Sequence, residues 1–158
     1  MLTKAVEILL GGGVVIYPTE TLFAVGCLIR SGAAVRRIAA LKGREEVKPF
    51  PVILGSREQL DQVVAGEGDE ASRLMDVFWP GPLSVLLPAR PDLSSRLMNP
   101  EGLISVRWTP HPDAQALCRE CGSPLVATSA NTSGRAAVAR SGDLEPELGR
   151  KADWVVSG

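Results

Sequence analysis

Apolar positions along this chain alternate between helical spacing and short unbroken runs. Ala5, Val6, Leu9 and Leu10 recur at helical spacing after Thr3, which can cap them, and Gly11 ends that first helix. Val14–Tyr17 is then an unbroken, mostly β-branched run, with three glycines before it and Pro18 after it. That is the pattern of a buried strand, and Pro18 ends it because proline cannot donate to a sheet ladder. Ser31 offers an N-cap to a second helix carrying Ala34, Val35, Ile38 and Leu41 inward. Pro51–Leu54 reads as a strand, and Ser56-Arg57-Glu58-Gln59 as a capping box opening a third helix. Ala71, Leu74, Met75 and Phe78 form the stripe of a fourth helix, which stops at Trp79 because Pro80-Gly81-Pro82 follows.

Leu83–Leu87 and Leu103–Trp108 are further strands, separated by a polar loop over Arg90–Asn99. Pro112 starts a fifth helix, Asp113–Cys121, and Gly122 terminates it. Leu125–Thr128 is expected to be one strand running directly into Ser129-Ala130-Asn131-Thr132-Ser133-Gly134. A short helix over Leu144–Leu148 and a last strand over Trp154–Val156 complete the reading. Helices and strands alternate throughout, which predicts an α/β layered fold with a mixed, largely buried sheet.

Composition narrows the function classes. At 158 residues the chain is expected to form one domain. Aromatic residues make up 4% of it, too few for a base-stacking platform, and the net charge of -1 exerts no global pull on nucleic acid or anionic membrane. No apolar run reaches membrane-spanning length and no leader cleavage site follows the N-terminal helix, so a cytoplasmic protein is expected. Three cysteines, an odd count, argue against a disulfide framework. Cys118 and Cys121 match C-x-x-C, but one pair and a single histidine do not make a four-ligand zinc site, so no metal site is expected.

Candidate chemistry lies in three polar clusters. Thr19, Glu20 and Thr21 follow the first strand, at the carboxyl end where ligands sit in open α/β sheets. A turn with capping hydroxyls would look the same. Lys42, Arg44 and Lys48 form a cationic group suited to a polyphosphate, diluted by Glu45 and Glu46. A solvated helix C-terminus is also cation-rich. Thr128–Gly134 offers hydroxyls, an amide and backbone N–H groups to an anion, or is a plain turn. Neither standard phosphate fingerprint is present, and His111, between two prolines, reads as a structural turn. Nothing in the pattern supplies a nucleophile with its base. A site built from these clusters would bind an anion by electrostatics.

The blocks PTETLFAVG, LKGR, KPFPVIL, WPGPLS, SVRWTPHP and VATSANTSG occur in this order over about Gly12 to Gly134. In order and spacing they resemble the Sua5/YciO/YrdC family of threonylcarbamoyl-AMP synthases. The resemblance implies a single-domain twisted mixed sheet with flanking helices around a large open cavity. It implies a nucleotidyl transfer that joins L-threonine, bicarbonate and ATP into threonylcarbamoyl-AMP and pyrophosphate, with Mg²⁺ carried by the ATP. The product would pass to a downstream threonylcarbamoyl-transferase complex that modifies tRNA. By the same resemblance Lys42, Arg44, Ser129 and Asn131 hold the ATP phosphates, with Lys42 and Arg44 acting in catalysis. Lys48 and Ser84 line the nucleotide site, and Thr21 and the backbone of Ala127 meet the substrate threonine. Arg107 supports the cavity wall.

The chain departs from the family pattern at Glu45, where a proline usually follows K-x-R, at Ser84, usually threonine, and at Ile53, histidine in some members. It also reaches Gly158 without the family's usual E-S-T strand and R-P-G tail. A non-catalytic relative that binds tRNA or double-stranded RNA, or a paralogue that has lost activity, is the alternative reading. The synthase reading predicts that Lys42→Ala and Arg44→Ala each abolish most pyrophosphate release from ATP while the fold persists, measured by a pyrophosphate assay beside circular dichroism.

Overall fold

The computed structural model describes residues 2–43 and 48–157. Its first strand, β1 (Val15–Tyr17), is fully buried, as an unbroken apolar run requires. Alternation along the run divides the core. Val14 and Ile16 face one layer, Val15 and Tyr17 the other. The Val15 side is covered by α1 (Leu2–Leu10) and α4 (Pro112–Cys121), through Ala5, Leu9, Ala114 and Leu117. The core layer that Val14 enters also takes in α2 (Gly32–Lys42) and α3 (Asp69–Phe78), through Ala34, Val35, Ile38 and Met75.

The mixed α/β architecture is as expected, but the strands divide between two four-stranded sheets. The first contains β1, β2 (Ala24–Gly26), β7 (Thr128–Ser129) and β8 (Trp154–Val155), in the order β7-β2-β1-β8. The second contains β3 (Val52–Leu54), β4 (Val85–Pro88), β5 (Leu103–Trp108) and β6 (Leu125–Val126), in the order β4-β5-β3-β6. Each mixes parallel and antiparallel pairs.

The expected single strand Leu125–Thr128 is two strands in different sheets. Val126 pairs with Val52 in the second sheet, whereas Thr128 pairs with Val25 in the first. Ala127 lies between them and donates its N–H to the Pro51 carbonyl at 2.9 Å. The two sheets touch closely here. A Cβ on Gly26 would lie 2.2 Å from the Val126 carbonyl oxygen, and the buried Tyr17 hydroxyl donates to that same oxygen at 2.7 Å. Glycine at position 26 is a steric requirement of this junction.

Other elements depart from the sequence pattern for identifiable reasons. The expected third helix is a 3₁₀ segment, Arg57–Gln62, and Ser56 makes no side-chain cap to it. Gln59 does not close a capping box. Its Oε1 accepts from the Gly55 N–H and its Nε2 donates to the Cys118 carbonyl, both at 2.9 Å, so it ties this segment to α4. In α3 only Met75 of the expected stripe is fully buried, and Leu74 and Phe78 are 43% and 53% exposed. The short helix after Leu144 runs as α5 (Pro146–Lys151), started by a proline suited to a first turn.

The last strand is anchored by Asp153. Its carboxylate accepts from the Val14 N–H at 2.8 Å and from both Arg37 Nη atoms at 2.7 and 3.2 Å. The Arg37 hydrogen bonds, with the Val14 N–H and the arginine's charge, hold the carboxyl below the ordinary aspartate range. A depressed folded-state pKa means that the unfolded chain takes up the proton first, so this contribution is present above the ordinary aspartate pKa and is lost as pH falls through the folded value. Urea unfolding midpoints followed from neutral pH down into that acid range are therefore expected to fall less steeply in Asp153→Asn than in the parent.

Candidate functional site

Lys42 is the last residue of α2, and the helix turns away at Gly43 in the left-handed conformation (φ 67°). Its side chain does not extend into water, since the residue is 1% exposed. The ammonium donates to the Ser129 carbonyl at 2.6 Å and to Asn131 Oδ1 at 3.1 Å, and lies 3.3 Å from Ser129 Oγ. The second helix's lysine and the late S-x-N segment, 87 and 89 positions apart, thus meet directly.

The 129–135 loop is fastened from several sides. Ala130 donates its N–H to the Phe23 carbonyl and Ser133 donates to the carbonyl of Lys42 itself, at 2.8 and 2.9 Å. The Asn131 amide donates to the Thr132 and Arg135 carbonyls at 3.2 and 2.7 Å. Glu145 accepts from the Thr132 N–H and hydroxyl at 2.9 and 2.8 Å. Those two hydrogen bonds, aided by the charges of Arg135 and Lys42, hold its carboxyl below the ordinary glutamate range. Sequence reasoning missed Glu145, because nothing local marks a glutamate 13 positions downstream as a clamp on this loop.

Beside this loop, where the chain crosses between sheets, lies a cleft of about 310 Å³. Its lining includes Thr19, Thr21, Arg107, Ala127 and Ser129. Thr19 plays the turn role: its hydroxyl donates to the Leu22 carbonyl at 2.6 Å and accepts from the Thr21 and Leu22 N–H groups at 3.3 Å. The Thr21 hydroxyl is exposed and 3.1 Å from it. Arg107 is a lining cation whose Nε donates to Glu20 Oε1 at 2.7 Å, and the Thr109 hydroxyl donates to Glu20 Oε2 at 2.6 Å. Sequence reasoning noticed Glu20 in the polar lip and gave Arg107 only a wall role. The pairing was hidden because it spans 87 positions and two sheets.

The remaining candidates separate. Lys48 is exposed on the approach to β3, and Ser84 is exposed one residue before β4; neither lines this cleft. Arg44 lies outside the described residues, as does Glu45. His111 caps α4, its Nδ1 accepting from the Asp113 N–H at 3.2 Å, as expected of a structural turn.

No thiol is poised to react. Burial pushes Cys27 up to about 12 and Cys121 up to about 11, the latter helped by Glu120, and raises fully buried Cys118 further still. Among the described residues no group of three or more His, Cys, Asp or Glu side chains is placed to hold a metal ion.

The family model for Sua5/YciO/YrdC domains, described as "Telomere recombination", matches residues 7–158. The chain belongs to this family. It is 38% identical to the threonylcarbamoyl-AMP synthase of Nitrosococcus oceani over 154 residues, 98% of this chain and 83% of that protein. The crystal structure of P. abyssi Sua5 complexed with L-threonine superimposes with a TM-score of 0.90 at 28% identity, covering 99% of this chain and 46% of that one. E. coli YciO superimposes with a TM-score of 0.87 at 27% identity, covering 99% of this chain and 77% of YciO. The chain thus spans most of the N. oceani protein and under half of Sua5.

Burial of Lys42 changes what its removal tests. Truncation to alanine would empty a packed position as well as delete a charge, so it does not leave the fold untouched. Lys42→Met keeps the stem but leaves the Ser129 carbonyl and Asn131 Oδ1 without this donor. It is expected to cost about 1–3 kcal/mol in denaturant unfolding, the penalty for unsatisfied buried acceptors.

Proposed function

We propose that this chain is an L-threonylcarbamoyladenylate synthase, making threonylcarbamoyl-AMP and pyrophosphate from L-threonine, bicarbonate and ATP. One observation carries the reading. A lysine ammonium is locked to a hydroxyl- and amide-bearing loop, and that loop's Ser129 lines a cleft that an arginine lines as well.

The chemistry asks little else of the protein. The threonine amine adds to bicarbonate, losing water, to form a carbamate. A carbamate oxygen then attacks the α-phosphorus of ATP; the bond to the β-phosphate bridging oxygen breaks and pyrophosphate leaves. No side chain needs to form a bond. Positioning and charge neutralisation lower the barrier.

Each cluster has a part in this scheme. Lys42, Ser129 and Asn131 hold the phosphates, with Arg44 and Lys48 adding charge and Ser84 a hydroxyl at the nucleotide. The 3.3 Å contact between the Lys42 ammonium and Ser129 Oγ is longer than those to the Ser129 carbonyl and Asn131 Oδ1, and easier than either for a phosphate oxygen to replace. Thr21, the Ala127 backbone and Arg107 receive threonine, with the guanidinium facing its carboxylate. Mg²⁺ brought in with the ATP would supply further charge neutralisation at the phosphates. The product would serve a transferase acting on tRNA in the cytoplasm. Among the described residues no helix is long and apolar enough to cross a membrane.

The test is pyrophosphate release by the purified chain. Release is expected only when ATP, bicarbonate and L-threonine are all present, with labelled bicarbonate carbon appearing in an adenylate. ATP turnover indifferent to threonine would overturn the assignment.

A further inference from the structure

We propose that Glu20 is a positioning residue, fixing the direction in which Arg107 presents its guanidinium to the carboxylate of the amino-acid substrate. The inference deepens the synthase reading and rests on it.

Glu20 is absent from the lining of the cleft, whereas Arg107 is part of it. The carboxylate therefore meets the arginine without itself lining the cleft. Both of its oxygens are committed: Oε1 accepts from Arg107 Nε at 2.7 Å and Oε2 from the Thr109 hydroxyl at 2.6 Å. Thr109 is itself fixed, being fully buried, with its Oγ1 accepting from the His111 N–H at 3.2 Å. A carboxylate held at both oxygens cannot swing.

A guanidinium is planar, so fixing its Nε–H fixes the plane and the bearing of both Nη groups. The side chains of Arg107 and Glu20 are only 11% and 13% exposed, so water does little to loosen the pair. The pair also joins the turn after β1 of the first sheet to β5 of the second, so the arginine's bearing is set relative to both sheets.

Charge gives the arrangement a second consequence. A glutamate projecting into the cleft would repel an incoming carboxylate. Outside that lining and paired with the arginine, it offsets the cost of holding a cation there. Removing Glu20 then leaves the cation in place but free to rotate or to bind another anion. The loss should fall on the amino acid and not on the nucleotide, whose phosphates meet the Lys42 cluster.

The experiment compares Glu20→Gln, Arg107→Met and the double variant with the parent, measuring kcat, separate KM values for L-threonine and ATP, and L-threonine binding by calorimetry. Glutamine keeps one acceptor and nearly the same shape, so the fold should persist; thermal unfolding checks this. Glu20→Gln is expected to raise the threonine KM and weaken threonine binding by about tenfold, with the ATP KM within about twofold. In the Arg107→Met background the same change should alter threonine binding by less than about twofold, because a positioning residue has nothing left to position. An unchanged threonine KM, an equal rise in both KM values, or an undiminished penalty without the arginine would each overturn the proposal while leaving the synthase reading intact. A parent that binds threonine but releases no threonine-dependent pyrophosphate would overturn the synthase reading alone, and the binding comparison would still decide Glu20. A parent that does not bind threonine would overturn both.

Discussion

A lysine ammonium withdrawn from water is costly unless oxygens replace its hydration. Lys42 meets that condition with the Ser129 carbonyl, Ser129 Oγ and Asn131 Oδ1. Much of the surrounding structure follows from it. The end of α2 must lie against the loop after β7, and Ser133 returns a hydrogen bond to the helix's last carbonyl. Glu145 and Asn131 then hold the loop in the form that offers those oxygens. The result is a charge held in one place by the fold itself.

The division into two sheets does complementary work. A single sheet carrying the Leu125–Thr128 run would present one edge. Because the chain changes sheets at Ala127, the turn after β1, the end of β5 and the S-x-N loop come to one cleft. Gly26 permits the close approach that makes the crossing possible, and Tyr17 secures it with a buried hydroxyl. Glu20, Arg107 and Thr109 span the same junction with short, charge-assisted hydrogen bonds. Membership of the Sua5/YciO/YrdC family agrees with this frame, and so does the close superposition on a Sua5 structure that holds L-threonine.

Elements whose signal is local were legible in the residues themselves. The β1 run, the α2 stripe, the stop at Trp79 and the α4 segment between His111 and Gly122 all depend on neighbours a few positions apart. The chemistry was legible in part for the same reason. Lys42 at a helix end and hydroxyls after a strand are short-range patterns, and six ordered blocks carried the family resemblance. The α3 stripe misled because helical spacing marks which residues share a face, not whether anything covers that face. Leu74 and Phe78 lie on the helix's exposed side.

The sequence by itself determined the alternation of helices and strands, the buried character of β1 and the residue types available for anion binding, since propensity, capping and periodicity act within a few residues. Only the tertiary structure decided that Lys42 is enclosed by the 129–131 segment, that Leu125–Ser129 divides between two sheets, and that Gln59 joins α4 instead of closing a cap. It alone paired Glu20 with Arg107 and Glu145 with Thr132. These are hydrogen bonds made between distant segments because burial leaves each polar group no water to turn to, and a one-dimensional pattern carries no record of which distant partner fills that need.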